Sequence, residues 1–178
     1  QVEGIEQNAI MIDSVSKRFS MCGARIGWVV SKNKDVMMSV LKFAQARLSP
    51  PTYSQIGAER AFDVPDTYFE EVLKEYTQRR NVLIEELQKV KGVRVSMPKG
   101  AFYCIAELPV ENAEDFSIWL LDHFSVNNET VMLAPAEGFY ATKGLGRNQV
   151  RIAYVLEKEK IVKAIHILAE ALKEYNNS

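Results

Sequence analysis

The chain has 178 residues, 47% of them hydrophobic and 25% charged, with a formal net charge of −1. That length allows one domain with a real core, or a small domain plus part of another, and the composition is that of an ordinary globular protein. Basic residues are scattered among acidic ones, which argues against nucleic-acid binding, and no apolar run is long enough to span a bilayer.

In chain order, residues 9–13 read as a short buried strand, 14–24 as a polar, glycine-containing loop, and 25–30 as a second strand. A helix is expected over 34–48, with Val36, Val40, Leu41 and Ala44 on one side, broken by Ser49-Pro50-Pro51. Another should cover 54–62 and end at Asp63-Val64-Pro65. Thr67 and Glu70 have the spacing of a capping box and open a long helix to about Val90. Phe69, Val72, Leu73, Tyr76, Leu83 and Leu87 recur along it at helical spacing, and Gly92 supplies a stop.

Short strands follow at 93–95 and 101–106, then a helix over 112–124 with Phe116, Trp119 and Leu120 on its apolar side. A strand at 130–133, a loop at 134–148 carrying Gly138, Gly144 and Gly146, and a strand at 149–155 come next. The chain closes on a helix over 157–175 with Ile161, Ile165, Leu168 and Leu172 in register. The fold class is α/β, with strands and helices intermixed and no internal repeat. The long helix from Thr67 reads as a connector, which divides the chain into residues 1–65 and 66–178.

Two cysteines, Cys22 and Cys104, make no CxxC pair, so a reducing, cytoplasmic setting fits best, with one disulfide left open. His123 and His166 lie in helical stretches without metal-ligand spacing, so no metal site is expected. Gly144-Leu145-Gly146 lacks the third glycine and the strand-to-helix context of a dinucleotide fingerprint.

The chemistry concentrates in the run Ser14-Val15-Ser16-Lys17-Arg18-Phe19-Ser20-Met21-Cys22-Gly23-Ala24-Arg25-Ile26-Gly27. A lysine follows a strand, two hydroxyls precede it within three residues, and an arginine comes eight residues later. Two glycines allow tight turning or close approach. A lysine that attacks an aldehyde needs a lowered pKa, to which a nearby arginine contributes while offering a planar fork to a phosphate. Hydroxyls add neutral donors, so the set suits a phosphorylated aldehyde cofactor. Spacing alone also fits a solvated turn. Arg151, between Val150 and Ile152, needs an anionic partner if buried, and a structural salt bridge would serve.

The same run resembles the cofactor-attachment motif of the class I/II aminotransferases, fold type I enzymes that use pyridoxal 5'-phosphate (PLP). That motif reads S-x-S-K, an aromatic residue two after the lysine, then G-x-R-x-G. Pro98-Lys99-Gly100-Ala101-Phe102-Tyr103 is similar to the family's P-x-G-A-F-Y strand, and Asn148 to Ala153 to its substrate-arginine strand. The resemblance implies that Lys17 holds PLP as a Schiff base and then moves the substrate Cα proton. It implies that Ser14, Ser16 and Arg25 bind the cofactor phosphate, and that Arg151 binds the substrate α-carboxylate. It further implies transfer between an L-amino acid, with a lean to aspartate, and a 2-oxo acid, in a homodimeric parent protein.

Only sixteen residues precede Lys17, whereas family members place most of a large domain upstream of it, including the acidic partner of the pyridine nitrogen. The architecture expected is therefore a C-terminal remnant of that large domain, the connecting helix, and a small domain with a short, mostly antiparallel sheet. The chain alone is expected to be inactive. Two other readings remain open here: a PLP-dependent lyase or synthase of the same fold, and an aminotransferase-like effector-sensing domain of a regulator.

Overall fold

The computed structural model describes residues 3–177. Contacts divide the chain into two units, Gln1–Tyr68 and Phe69–Ser178. In the first, β1 (Ile10–Ser14) and β2 (Gly27–Ser31) form an antiparallel ladder running from Ile10 opposite Ser31 to Ser14 opposite Gly27. Their connection is not the plain loop expected over 14–24. Val15–Arg18 makes one helical turn, α1, and Cys22–Ala24 a 3-10 turn. Serines read as loop formers because their hydroxyls compete for backbone hydrogen bonds, and here that competition caps a turn: the Ser16 N–H donates to Ser14 Oγ at 3.2 Å.

α2 (Lys34–Arg47) starts at Asn33, whose side-chain oxygen accepts from the N–H groups of Asp35 and Val36, both at 3.1 Å. α3 (Thr52–Ala61) follows the two prolines. Burial in this unit is thin. Val15, Phe19, Ala58 and Ala61 are buried, but no residue of α2 is. Ile10, Met11 and Ile12, expected in a buried strand, are 51%, 55% and 76% exposed. The run is apolar enough for a core strand, yet a two-stranded ladder covers only one edge of it, and among the described residues of this unit no layer closes over its face.

α4 (Asp66–Lys89) begins one residue before Thr67. Thr67 therefore lies inside the first turn and is not the capping residue expected. The helix enters directly from Pro65, whose carbonyl accepts from the Tyr68 N–H at 3.0 Å.

In the second unit four strands, β3 (Arg94–Val95), β4 (Tyr103–Glu107), β5 (Ala134–Pro135) and β6 (Gln149–Ala153), lie in the order β3-β4-β6-β5, and every pairing is antiparallel. α5 (Ala113–His123) is capped by Asn112, which accepts from the Glu114 N–H at 2.9 Å, and α6 (Lys158–Tyr175) closes the chain. Leu83, Ile84 and Leu87 of α4, Phe116 and Leu120 of α5, Val150 of β6 and Ile161, Ile165, Leu168 and Leu172 of α6 form one core with Cys104 and Ala106 of β4. Gly92 (φ +83°) sits where a Cβ would come within 2.8 Å of Pro109, so the turn after α4 requires it.

The strand expected at 130–133 does not form. Val131 and Leu133 pack against the core, but the ladder with β6 starts only at Ala134. The Thr130 hydroxyl meanwhile donates to the Leu120 carbonyl at 3.0 Å. Apolar residues here satisfy packing without pairing their backbone. Among the described residues no helix is long and apolar enough to cross a membrane.

Candidate functional site

Lys17 is exposed at the middle of α1, and its neighbours two positions away on each side are buried. Val15 (0% exposed) donates its N–H to the Ile26 carbonyl at 3.3 Å, which ties the turn to the return strand. Phe19 donates to the Val15 carbonyl at 3.1 Å, and its ring meets Phe62 edge-on at 5.1 Å. Phe62 in turn lies 5.8 Å from Trp28. Burying Val15 and Phe19 on one side of a single turn directs Lys17 to the other.

Asp13 braces the start of the turn. Its carboxylate accepts from the Ser14 N–H and pairs with Arg18, both at 2.7 Å. The hydrogen bond from Arg18, helped by that from Ser14, holds the Asp13 carboxyl below its ordinary pKa. The charge of Arg18 is thereby matched within the turn.

Arg25 does not start the second strand, as its position in 25–30 suggested. Its backbone is left-handed (φ 58°, ψ 39°), which cannot join a ladder, so β2 begins at Gly27. Its guanidinium donates to the Cys22 carbonyl at 2.8 Å, and among the described residues no carboxylate is within ion-pair distance of it. The two glycines differ. A Cβ at Gly27 would lie 3.0 Å from the Asp13 carbonyl and 3.3 Å from Ser14 Cβ, whereas Gly23 faces open space. Ser14, Ser16 and Lys17 thus share one turn, and Arg25 lies on the same connection. Two hydroxyls and a guanidinium without a counter-carboxylate are a donor set that fits a phosphate.

Arg151 lies in the second unit, on β6. Val150 (0% exposed) belongs to the core, so Arg151 takes the opposite face of the sheet. The structural salt bridge open from sequence is not what holds it: among the described residues no carboxylate pairs with it. Its guanidinium carbon instead lies 4.6 Å from the ring centre of Tyr103 and 4.6 Å from that of Phe139. The sequence reading missed both rings as partners. The register supplies a signal for one, since Ile105 opposes Arg151 and Tyr103 opposes Ala153, which makes Tyr103 a diagonal neighbour on the same face. Phe139 arrives from a 3-10 turn, Glu137–Phe139, that no periodicity announces.

Both cysteines are free thiols. Cys22 is exposed, while burial pushes the Cys104 thiol up to about 11. Among the described residues no group of three or more His, Cys, Asp or Glu could hold a metal ion.

The chain with this lysine turn and this antiparallel α/β unit matches a known family. The model of that family, aminotransferase class I and II, matches residues 2–168, and the chain belongs to it. An aspartate aminotransferase of Pyrococcus horikoshii is 30% identical over 171 residues, covering 94% of this chain and 42% of the relative. Among solved structures, the alpha-aminoadipate aminotransferase of Thermus thermophilus, complexed with N-(5'-phosphopyridoxyl)-L-leucine, superposes with a TM-score of 0.80 at 27% identity, over 93% of this chain and 42% of that one. An aromatic aminotransferase from Pyrococcus horikoshii gives a TM-score of 0.81 at 27% identity, over 98% and 46%. The chain therefore spans less than half the length of the relatives it matches.

Proposed function

We propose that the protein to which this chain belongs is a PLP-dependent aminotransferase that moves an amino group between an L-amino acid and a 2-oxo acid. The observation that carries this is the Lys17 turn: an amine directed outward by buried neighbours on both sides, on the same connection as two serines and an arginine suited to a phosphate. Bound PLP supplies an electron sink for the charge left at the substrate Cα. Lys17 would hold the cofactor aldehyde through its amine and would carry a proton to and from the substrate Cα. Ser14 and Ser16 donate hydroxyl hydrogens to the phosphate, and Arg25 grips it through its planar fork. Arg151 orients the substrate by pairing with its α-carboxylate.

On this reading residues 1–65 belong to the cofactor-binding domain and 66–178 to the smaller domain, in a cytoplasmic homodimer. Aspartate is the donor to test first, because the first Pyrococcus relative carries that name, although the other two relatives are named for different amino acids. The chain alone is inactive on this reading, since it spans 42% of that relative.

The test uses the full-length protein reconstituted with PLP. Its visible spectrum is recorded while aspartate, glutamate and then other amino acids are added, beside a Lys17→Ala variant. Conversion of the lysine-bound cofactor to its amine form, with release of a 2-oxo acid and no such change in the variant, is expected. A spectrum that survives every amino acid, or the appearance of ammonia and pyruvate, would favour the regulator or the lyase.

A further inference from the structure

The Phe139 ring beside Arg151 stands on a strut. Tyr140 follows it in the chain, and the Tyr140 hydroxyl donates to Gln149 Oε1 at 2.6 Å. Gln149 lies two residues before Arg151 on β6, and so on the same face. The Tyr140 ring lies over Gly146, where a Cβ would come within 2.4 Å of ring carbon Cε2. Gly146 has φ +74°, so both its backbone and its missing side chain are used. The backbone repeats the tie: the Ala136 N–H donates to the Gln149 carbonyl at 2.9 Å, and the Gln149 N–H to that of Gly146 at 3.0 Å. The short turn that presents Phe139 is thus anchored to the strand that presents Arg151.

A guanidinium on a long side chain has many rotamers to lose when it binds a ligand. Rings held against it remove some of them beforehand, and attract the cation without neutralising it as a carboxylate would. We propose that Tyr103 and Phe139, with Tyr140, Gly146 and Gln149 as the strut behind Phe139, are positioning residues that pre-set the Arg151 fork for a carboxylate ligand. This rests on the reading of Arg151 as the carboxylate-binding group. Tyr103 comes from β4 and Phe139 from the loop before β6, so two separate parts of the unit set one side chain.

The experiment uses the full-length, PLP-loaded protein. Affinities for two carboxylates without an amino group, succinate and 3-phenylpropanoate, are measured by calorimetry, and KM and kcat for the best amino donor beside them. Tyr103→Leu and Phe139→Leu should each weaken carboxylate binding and raise KM about fivefold, with kcat changed less than about twofold. Tyr103→Phe and Phe139→Tyr, which keep a ring, should bind as the parent does. Gly146→Ala should act like Phe139→Leu. It adds both a clash and left-handed strain, so Tyr140→Phe, which removes only the bond to Gln149, tests the strut with the loop intact and should weaken binding about twofold.

Arg151→Leu separates this proposal from the reading beneath it. If Arg151→Leu loses carboxylate binding while the leucine variants at 103 and 139 bind normally, the positioning role fails and the role of Arg151 stands. If Arg151→Leu also binds normally, the reading of Arg151 itself fails. A fall in kcat at unchanged KM and unchanged affinity in the leucine variants overturns the positioning role as well.

Discussion

Phe43 and Phe116 are the same side chain on helices of two different units. Phe43, on α2, is 78% exposed; Phe116, on α5, is fully buried. Around Phe116 an antiparallel sheet and three helices close a common core, whereas the first unit buries little beyond the residues that hold the Lys17 turn. The second unit therefore carries its own means of folding. The first carries the Lys17 turn, held by Val15, Phe19 and a few neighbours. The lysine turn and the large core lie on different stretches of one chain.

The sharpest way to break that comparison is to truncate both phenylalanines. Phe116→Ala should cost about 3–5 kcal/mol of stability, and Phe43→Ala should stay within about 0.5 kcal/mol, both read from urea unfolding of this chain. Equal losses would mean that α2 is buried in solution. The thiols give the next largest contrast. At about pH 8 iodoacetamide should alkylate Cys22 at least about a hundredfold faster than Cys104, which burial keeps protonated and covered. Mass spectrometry of timed samples reads both rates.

Within the first unit, Gly27→Ala should destabilise by about 1–3 kcal/mol, because the new methyl meets the Asp13 carbonyl and Ser14. Gly23→Ala, with open space around it, should change little. A protease-susceptibility assay at the Lys17 turn would register the difference. The smallest effect concerns Asp13, whose pKa is lowered by Arg18 and by the Ser14 N–H. A carboxyl with a depressed folded pKa stabilises above its unfolded pKa and loses that contribution as pH falls through the folded one. Asp13→Asn should thus lower stability slightly at neutral pH and leave it unchanged at the acid end. An effect that grew on acidification would contradict the ion pair.

Where helices and strands lie was largely readable, because apolar residues on α4, α5 and α6 recur at helical spacing and the prolines and Gly92 punctuate them. What periodicity could not supply was coverage. Ile10 to Ile12 have the composition of a core strand and are paired with Val29 to Ser31, but only a layer packed on their face would bury them. The misplacement of the strand expected at 130–133 has a related cause, since Val131 and Leu133 are apolar for packing and not for pairing. At the candidate site, the run from Ser14 to Gly27 was visible as a motif, but its left-handed Arg25 and its capped turn are properties of backbone geometry. The rings flanking Arg151 come from residues 48 and 12 positions away in sequence, beyond the reach of any local pattern.

Arg151 has one more consequence, for how the sheet finds its alignment. Val150 and Arg151 are adjacent, one in the core and one on the outer face. A slip of β6 by a single residue against β4 would exchange them, burying a guanidinium with no counter-charge and leaving a valine outside. That error would cost several kcal/mol, so the side chain proposed to read a carboxylate also proofreads the strand that carries it.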